Sequence, residues 1–346
     1  MLRVSYVLPL RMVDACRRAE LALYLDALVD WCEDVIVVDG SESELFAGNA
    51  AAWPVRVRHV VPDPARACLN GKVAGVHTGV ELARCEHVVV ADDDVRYRPA
   101  QLARVAALLE THDLVRPQNV FEALPWHARW DTARTLLNRS LGADYPGTLG
   151  VRRTRFLAMG GYDGDVLFEN LELIRTVQAD GGAVASPLDL HVSRRPPEAA
   201  HFWGQRTRQA YDDFALPARM ACWLAIAPLT AAALAARRSD ALAVGAGACA
   251  LLAELGRRRA GGREVFPAGS SLLAPVWIAE RAVCSWLAVL QLLRHGGARY
   301  GDATIRIAAH SPRTLRRRAR ARDVLRSDTS GLARRARRVR RLLPIG

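Results

Sequence analysis

Lysine is almost missing from this 346-residue chain: Lys and Arg together number 48, and only position 72 is Lys. The lone ammonium is either an accident of an Arg- and Ala-rich composition or a group with its own task. Paired cysteines are missing too. The seven Cys (16, 32, 68, 85, 222, 249 and 284) form no CxxC pair, so neither a zinc site nor a disulfide framework is indicated and a reducing compartment fits. No Gly-rich phosphate loop follows the first apolar stretch, which reads VLPLRMVDA. That stretch meets Pro9 and Arg11 too soon for the apolar region of a signal peptide, and is expected to be a strand. No uncharged run reaches the ~20 residues of a full membrane span.

The net charge of +12 is unevenly placed. Between Arg313 and Arg341, 13 Arg stand against Asp323 and Asp328, which gives +11 and leaves the first 312 residues near neutral at +1. The basic character therefore belongs to a tail. The length allows one large domain with an appendage, or two domains.

Short β-rich runs at 5–9, 35–39, 55–61 and 87–92 alternate with helix-period stretches at 14–28, 72–84 and 99–110. In the second of these, Val73, Val76, Val80 and Ala83 make one apolar stripe. The alternation predicts an α/β fold with a mostly parallel sheet flanked by helices.

Ligands of such sheets bind beyond the carboxyl ends of the strands. Two strands here end in acid, at Asp39 and at Asp92, Asp93 and Asp94. A carboxylate cluster needs a cation to offset its repulsion, and hard oxygen ligands suit Mg²⁺ or Mn²⁺. A prenyltransferase DDxxD is excluded by Arg96, and the missing Gly-rich loop speaks against a nucleotidylyltransferase. A two-metal nuclease would need further acidic ligands.

The ordered segments VSYVLP, VIVVDGSE, NGKVAGVHTGVELA, VVVADDDVRY, GGYDGDVLFENLEL and FWGQRTRQAYDDF resemble the family 2 glycosyltransferases of GT-A fold over roughly residues 1–215. The resemblance implies a nucleotide-diphosphate-sugar donor, with Asp39 near its base or ribose. It makes Asp92 and Asp94 the DxD pair that holds Mn²⁺ or Mg²⁺, with Asp92 and Asp93 beside the donor. Lys72, in the GK stretch, would serve the donor phosphates as a point charge.

The family's Glu-Asp motif maps onto Glu169 and Asn170. Asparagine cannot accept a proton at neutral pH, so the base falls to Glu169 or to Glu172, three residues on and on the same helical face. Gln205 and Arg208 match the QxxRW motif, with Gln209 in place of its Trp and Trp203 nearby. Arg206 and Arg208 suit the clamping of a diphosphate leaving group. Trp126 and Trp130 can stack on an acceptor or belong to a core, and His127 reads as a packed residue; the acceptor, a saccharide, lipid or small molecule, is not legible.

After Pro217 the composition shifts. Residues 220–236 and 241–253 carry no charge, and 271–297 is apolar on both sides of Glu280 and Arg281. The first two form a membrane hairpin or buried helices. The third is expected to lie in the membrane interface with Trp277 and Trp286 at headgroup depth. The Arg-rich tail would bind anionic lipid; it lacks the interleaved aromatics of a nucleic-acid binder, and no nucleic acid is expected. The expected organisation is a catalytic domain over 1–216, an apolar helical region over 217–297 and an Arg-rich cytoplasmic tail over 298–346. The chain then reads as a glycosyltransferase of the cell membrane with its catalytic domain cytoplasmic. A catalytically inactive relative acting as a scaffold is the alternative that Asn170 and Gln209 raise.

Overall fold

The structure is a computed structural model that describes residues 1–301 and 303–325. The tail beyond 325 lies outside the described residues. In chain order the first half comprises β1 (Leu2–Leu10), α1 (Arg18–Trp31), β2 (Cys32–Asp39), α2 (Ser43–Ala52), β3 (Arg58–Val60), α3 (Gly71–Leu82), β4 (His87–Ala91), β5 (Val95–Arg96), α4 (Pro99–Leu109), β6 (Leu114–Val115) and β7 (Gln118–Phe121). There follow α5 (Trp126–Leu141), β8 (Thr148–Arg152), α6 (Arg153–Ala158), α7 (Glu169–Ala179), β9 (Val184–Ala185), β10 (His191–Arg194) and α8 (Ala199–Tyr211). The last part holds α9 (Pro217–Ala235), α10 (Ser239–Arg258), α11 (Gly262–Val265), α12 (Gly269–Leu272), α13 (Ala274–His295) and a hairpin of β11 (Ala298–Tyr300) and β12 (Ala303–Ile305). Residues 312–325 are helical.

The main sheet has the order β3-β2-β1-β4-β8-β6-β9. Its pairings are parallel except where β8 runs against β4 and β6. The β-branched runs of β2 and β4 are buried on both faces, as a covered parallel sheet requires. On one face Leu21, Leu25 and Leu28 of α1 and Leu102, Val105 and Leu109 of α4 pack against Tyr6, Leu8, Val35, Val37 and Val89. On the other, Val73, Val76 and Val80 of α3, with Phe156, Ile174 and Val177, cover Val7, Ile36, Val38, Val88 and Val90. The α/β architecture and the stripe on α3 are as expected; α1 starts at Arg18, four residues later than the predicted helix.

Among the described residues three helices are long and apolar enough to cross a membrane: Pro217–Ala235, Ser239–Val265 and Ala274–His295. They expose Leu229, Leu234, Val244, Leu251, Val283 and Leu293. The inner end of α10 abuts α5 so closely that a Cβ on Gly256 would sit 1.9 Å from the Leu136 carbonyl oxygen. Only glycine allows that approach.

The segment 271–297 departs from the interface-lying helix expected. Trp277 is buried and lies edge-to-face against Trp223 at 5.8 Å, while Trp286 is half-exposed and its indole N–H donates to the Leu224 carbonyl at 3.1 Å. Glu280 and Arg281 point into the α/β domain, because Arg206 and Asp213 supply the opposite charges there.

After α13 the chain returns to the α/β domain. Leu167 N–H donates to the Ile307 carbonyl at 3.0 Å, Phe168 N–H to Ala308 at 2.8 Å, and the Tyr211 hydroxyl to Arg306 at 2.7 Å. Ala298, Ile305 and Ala308 share a core with Leu167, Leu171, Ala210 and Tyr211. The boundary expected at 298 therefore does not begin a separate tail. Even the helix at 312–325 is tied down, by Arg318 to Asp163 at 2.8 Å and by Arg322 to Asp180.

Candidate active site

A cleft of about 780 Å³ opens beyond the carboxyl ends of β1, β2 and β4. Pro9 and Leu10 line it from β1 and Arg11 from just after it, Gly40 from just after β2, and Asp92, Asp93 and Asp94 from the turn after β4. That turn is held by Asp92 N–H on the Gly147 carbonyl at 2.8 Å and Val95 N–H on the Asp92 carbonyl at 3.1 Å. A Cβ on Gly147 would come within 2.5 Å of Asp92 Oδ2, so the carboxylate fills the space that glycine leaves.

Each acid of the triplet meets a cation. Lys72, at the start of α3, places Nζ 2.5 Å from Asp92 Oδ1 and 2.6 Å from Glu169 Oε1. Arg194, at the end of β10, donates Nε–H to Asp94 Oδ2 at 2.8 Å and stands 3.8 Å from Asp92 Oδ2. Arg17 pairs with Asp93 at 2.8 Å. Burial acts against the charge on Lys72, but Asp92 and Glu169 outweigh it and hold its pKa well above the usual lysine range. Burial pushes the Asp93 carboxyl up, with Arg17 opposing.

Glu169 opens α7 and lines the cleft. Asn170 turns away, its amide donating to the Pro146 carbonyl at 2.9 Å. Glu172 does not reach the cleft. It is fully buried and accepts from His310 N–H at 2.7 Å and from the His310 ring at 2.9 Å, fastening the returning segment. The assignment of Glu172 as a catalytic candidate is thereby corrected.

On α8, His201, Gln205 and Arg208 recur at helical spacing and face the cleft. Arg206 faces the other way, which corrects its place as a donor ligand. It is 2% exposed, pairs with Glu280 through Nε at 3.0 Å, with Asp131 at 3.0 Å and with Gln209 Oε1 at 2.9 Å. Gln209, which stands where the QxxRW motif has Trp, is thus part of an ion cluster.

Asp39 is also corrected. It is fully buried and does not line the cleft; its carboxylate accepts from Ser41 N–H at 2.9 Å, from Asn49 at 2.9 Å and from the His59 ring at 3.0 Å. Burial raises its pKa, but these bonds prevail and hold it at about 2. Trp126, Trp130 and Trp203 form an aromatic group with Phe202, with Trp126 and Trp203 half-exposed, and none of them lines the cleft. His127 is buried, as expected, its ring bonding to the Pro197 carbonyl at 2.7 Å.

Four cleft residues, Arg194, His201, Tyr300 and Gly301, had no place in the motif reading. Arg194 lies outside the resembling segments, although an Arg at a strand end followed by Arg-Pro-Pro is a usable signal. His201 stands just before a segment read for Trp203, Gln205, Arg206, Arg208 and Gln209. Tyr300 and Gly301 belong to the hairpin after α13, where Arg208 lies over the Tyr300 ring at 4.9 Å from its centre. Nothing local in the sequence marks that return.

Among the described residues no three His, Cys, Asp or Glu side chains form a protein-only metal cage. A hard divalent cation that takes one or two carboxylates and shares the rest of its shell with substrate phosphates does not require one. Asp92 and Asp94 supply that kind of donor, and Asp94 Oδ1 is a buried oxygen with no partner. The residues fit such a cation.

The family model described as glycosyl transferase family 21 matches residues 44–119, where the motif resemblance had pointed to family 2. No curated protein matches the chain. Among solved structures, a mannosyltransferase from Pyrobaculum calidifontis, in complex with GDP-Man and Mn²⁺, is similar at 19% identity and a TM-score of 0.49, with 82% of this chain and 87% of that one covered. Glucosyl-3-phosphoglycerate synthase from Mycobacterium tuberculosis, in complex with Mn²⁺, UDP-glucose and phosphoglyceric acid, is similar at 18% identity and a TM-score of 0.41, covering 58% and 74%. Over the part of the chain that contains β3, α3, β4 and the acidic turn, the protein is similar to glycosyl transferase family 21.

Proposed function

We propose that the protein is a glycosyltransferase that moves a sugar from a nucleotide-diphosphate donor to an acceptor hydroxyl with inversion at the anomeric carbon. The observation that carries this reading is the shared ammonium of Lys72. It brings Glu169, the candidate base, and Asp92, the candidate donor-side acid, to within 2.6 Å of one nitrogen inside a single cleft. Such proximity is what a one-step displacement needs, since the acceptor oxygen and the leaving diphosphate must meet at one carbon.

In this reading Glu169 takes the proton of the acceptor hydroxyl as its oxygen bonds to the anomeric carbon and the bond from that carbon to the diphosphate oxygen breaks. Lys72, Arg194 and Arg208 stabilise the negative charge that develops on the departing nucleoside diphosphate. Asp92 and Asp94 would hold Mn²⁺ or Mg²⁺, which supplies further charge neutralisation to the diphosphate. His201, Gln205 and Tyr300 shape the remaining wall. Asn170 and Gln209 have structural partners, so the departures from the family motifs do not favour a scaffold role.

The length and apolar composition of α9, α10 and α13 support a location at a membrane. The chain leaves the α/β domain at Pro217 and is bonded to it again by Arg306, so the number of crossings between them is even. α9 and α10 as a hairpin satisfy this, each close to the ~30 Å needed at 1.5 Å per residue, with α13 against the domain. The donor then puts the α/β domain on the cytoplasmic side. Arg313, Arg316, Arg317 and Arg320 are exposed and suit anionic lipid, at ~1 kcal/mol per basic residue near the surface.

A screen of nucleotide sugars with Mn²⁺ tests the reading by thermal shift of full-length protein in detergent. At least one donor is expected to stabilise the protein in a Mn²⁺-dependent way. Stabilisation by none, with the protein folded, would contradict the donor assignment.

A further inference from the structure

The acidic turn and the base are joined through one side chain, and that side chain and a divalent cation would draw on the same carboxylate. Asp92, Asp94 and Glu169 carry three negative charges, and Lys72 and Arg194, in contact with them, carry two positive ones. The net charge of this group is minus one. A divalent cation alone turns it to plus one, in a cleft where Lys72 and Arg194 stand within 2.5 Å and 3.8 Å of the two oxygens of Asp92. A doubly charged diphosphate alone turns it to minus three. Entering together, the two leave the balance unchanged.

We infer that Lys72 makes divalent-cation binding conditional on the nucleotide: its ammonium holds Asp92 against Glu169 and cedes Asp92 to the cation only when a diphosphate enters to receive that ammonium. This rests on the reading of the cleft as a nucleotide-diphosphate site. Position matters as well as charge. Lys72 sits at the first turn of α3, on a flexible four-carbon stem, with Gly71 before it and both carboxylates within hydrogen-bond reach. Swinging Nζ from Asp92 toward an incoming phosphate leaves it able to keep its contact with Glu169. Donor entry thereby frees the metal ligand while the base stays placed. Arg194 is less suited to the exchange, because its stronger contact is with Asp94 rather than Asp92.

The test is Mn²⁺ binding to full-length protein in detergent, read from the electron paramagnetic resonance of free Mn²⁺, with and without UDP or GDP. For the wild type the nucleotide should tighten Mn²⁺ binding by about 10-fold or more, a coupling of ~1.4 kcal/mol or more. In Lys72→Met, Mn²⁺ alone should bind about 10-fold tighter than to the wild type, and the further gain from nucleotide should shrink to about 3-fold or less. Lys72→Gln should behave like Lys72→Met, whereas Lys72→Arg, which keeps the charge, should retain the dependence. Retention of the wild-type dependence in Lys72→Met or Lys72→Gln would overturn the inference. So would tight, nucleotide-independent Mn²⁺ binding by the wild type, which needs no variant to fold. If the dependence survives without Lys72 while sugar transfer proceeds, only this inference fails; if neither UDP nor GDP binds at all, the proposed function fails with it.

Discussion

The ion cluster between α8 and α13 gives the most quantitative expectation. Arg206 is 2% exposed, and its guanidinium meets both oxygens of Glu280 as well as Asp131 and Gln209. Glu280→Gln keeps the shape but removes the charge and one of the paired acceptors. Hydrogen bonds to charged groups contribute ~1.5–3 kcal/mol each. Stranding a buried charge entirely costs ~3–5 kcal/mol. Asp131 at 3.0 Å still compensates Arg206, so the loss expected is about 2–3 kcal/mol, within the first range and below the second. Denaturant unfolding of the detergent-solubilised protein measures it, with Asp240→Asn as control. Asp240 pairs with Arg238 at 68% and 63% exposure, and its loss should leave the unfolding midpoint essentially unchanged. The Asp131→Asn and Glu280→Gln pair should be non-additive because both acids serve one guanidinium. Equal stability for Glu280→Gln and Asp240→Asn would refute this account of α13, and would fit Glu280 in the membrane interface instead.

Other outcomes follow from the same contacts. Glu169→Gln should lower turnover by about 10²–10⁴-fold with donor affinity little changed, while Glu172→Gln should instead lower stability by about 1–3 kcal/mol through the lost bonds to His310, with near-normal turnover per folded molecule. Asp212 has a buried oxygen without a partner, and burial pushes its pKa up to about 7. The folded protein therefore keeps that proton longer than the unfolded chain does, and stability falls as pH rises from about 4 toward 7; Asp212→Asn should stabilise the protein at pH 8 and not at pH 4, as melting curves at the two values will show. A chain ending at Leu216 or at Gly297 lacks the strand-like contacts of Ile307 and Ala308 beside Glu169, and should be recovered in folded form at much lower yield than full-length protein, by proteolysis resistance.

What was legible in the sequence is what depends on neighbours along the chain. The β-branched runs at 35–39 and 87–92, the stripe of Val73, Val76 and Val80, and the acids at a strand end each carry their meaning within a dozen residues. What failed depends on distant partners. Arg206 and Arg208 sit two apart on a helix, so they point in different directions, and which one faces the cleft is decided by Asp131 and Glu280, 75 and 74 residues away. Glu172 looks like an accessible helix acid until His310, 138 residues on, covers it. Asp39 ends its strand where a ligand acid would, but Asn49 and His59 consume its oxygens. Lys72 stands out as the sole lysine and by its GK stretch, but neither signal shows its two carboxylate partners, which lie 20 and 97 residues away.

Transfer chemistry at the cleft joined by Lys72 has an immediate readout. Its most direct measurement is release of nucleoside diphosphate from UDP- and GDP-sugars by purified full-length protein with Mn²⁺, compared with Glu169→Gln. Release is expected from at least one donor, lost in Glu169→Gln although that variant still binds the donor. Folded wild-type protein that releases nothing from any of them, or a Glu169→Gln variant as active as the wild type, would contradict it.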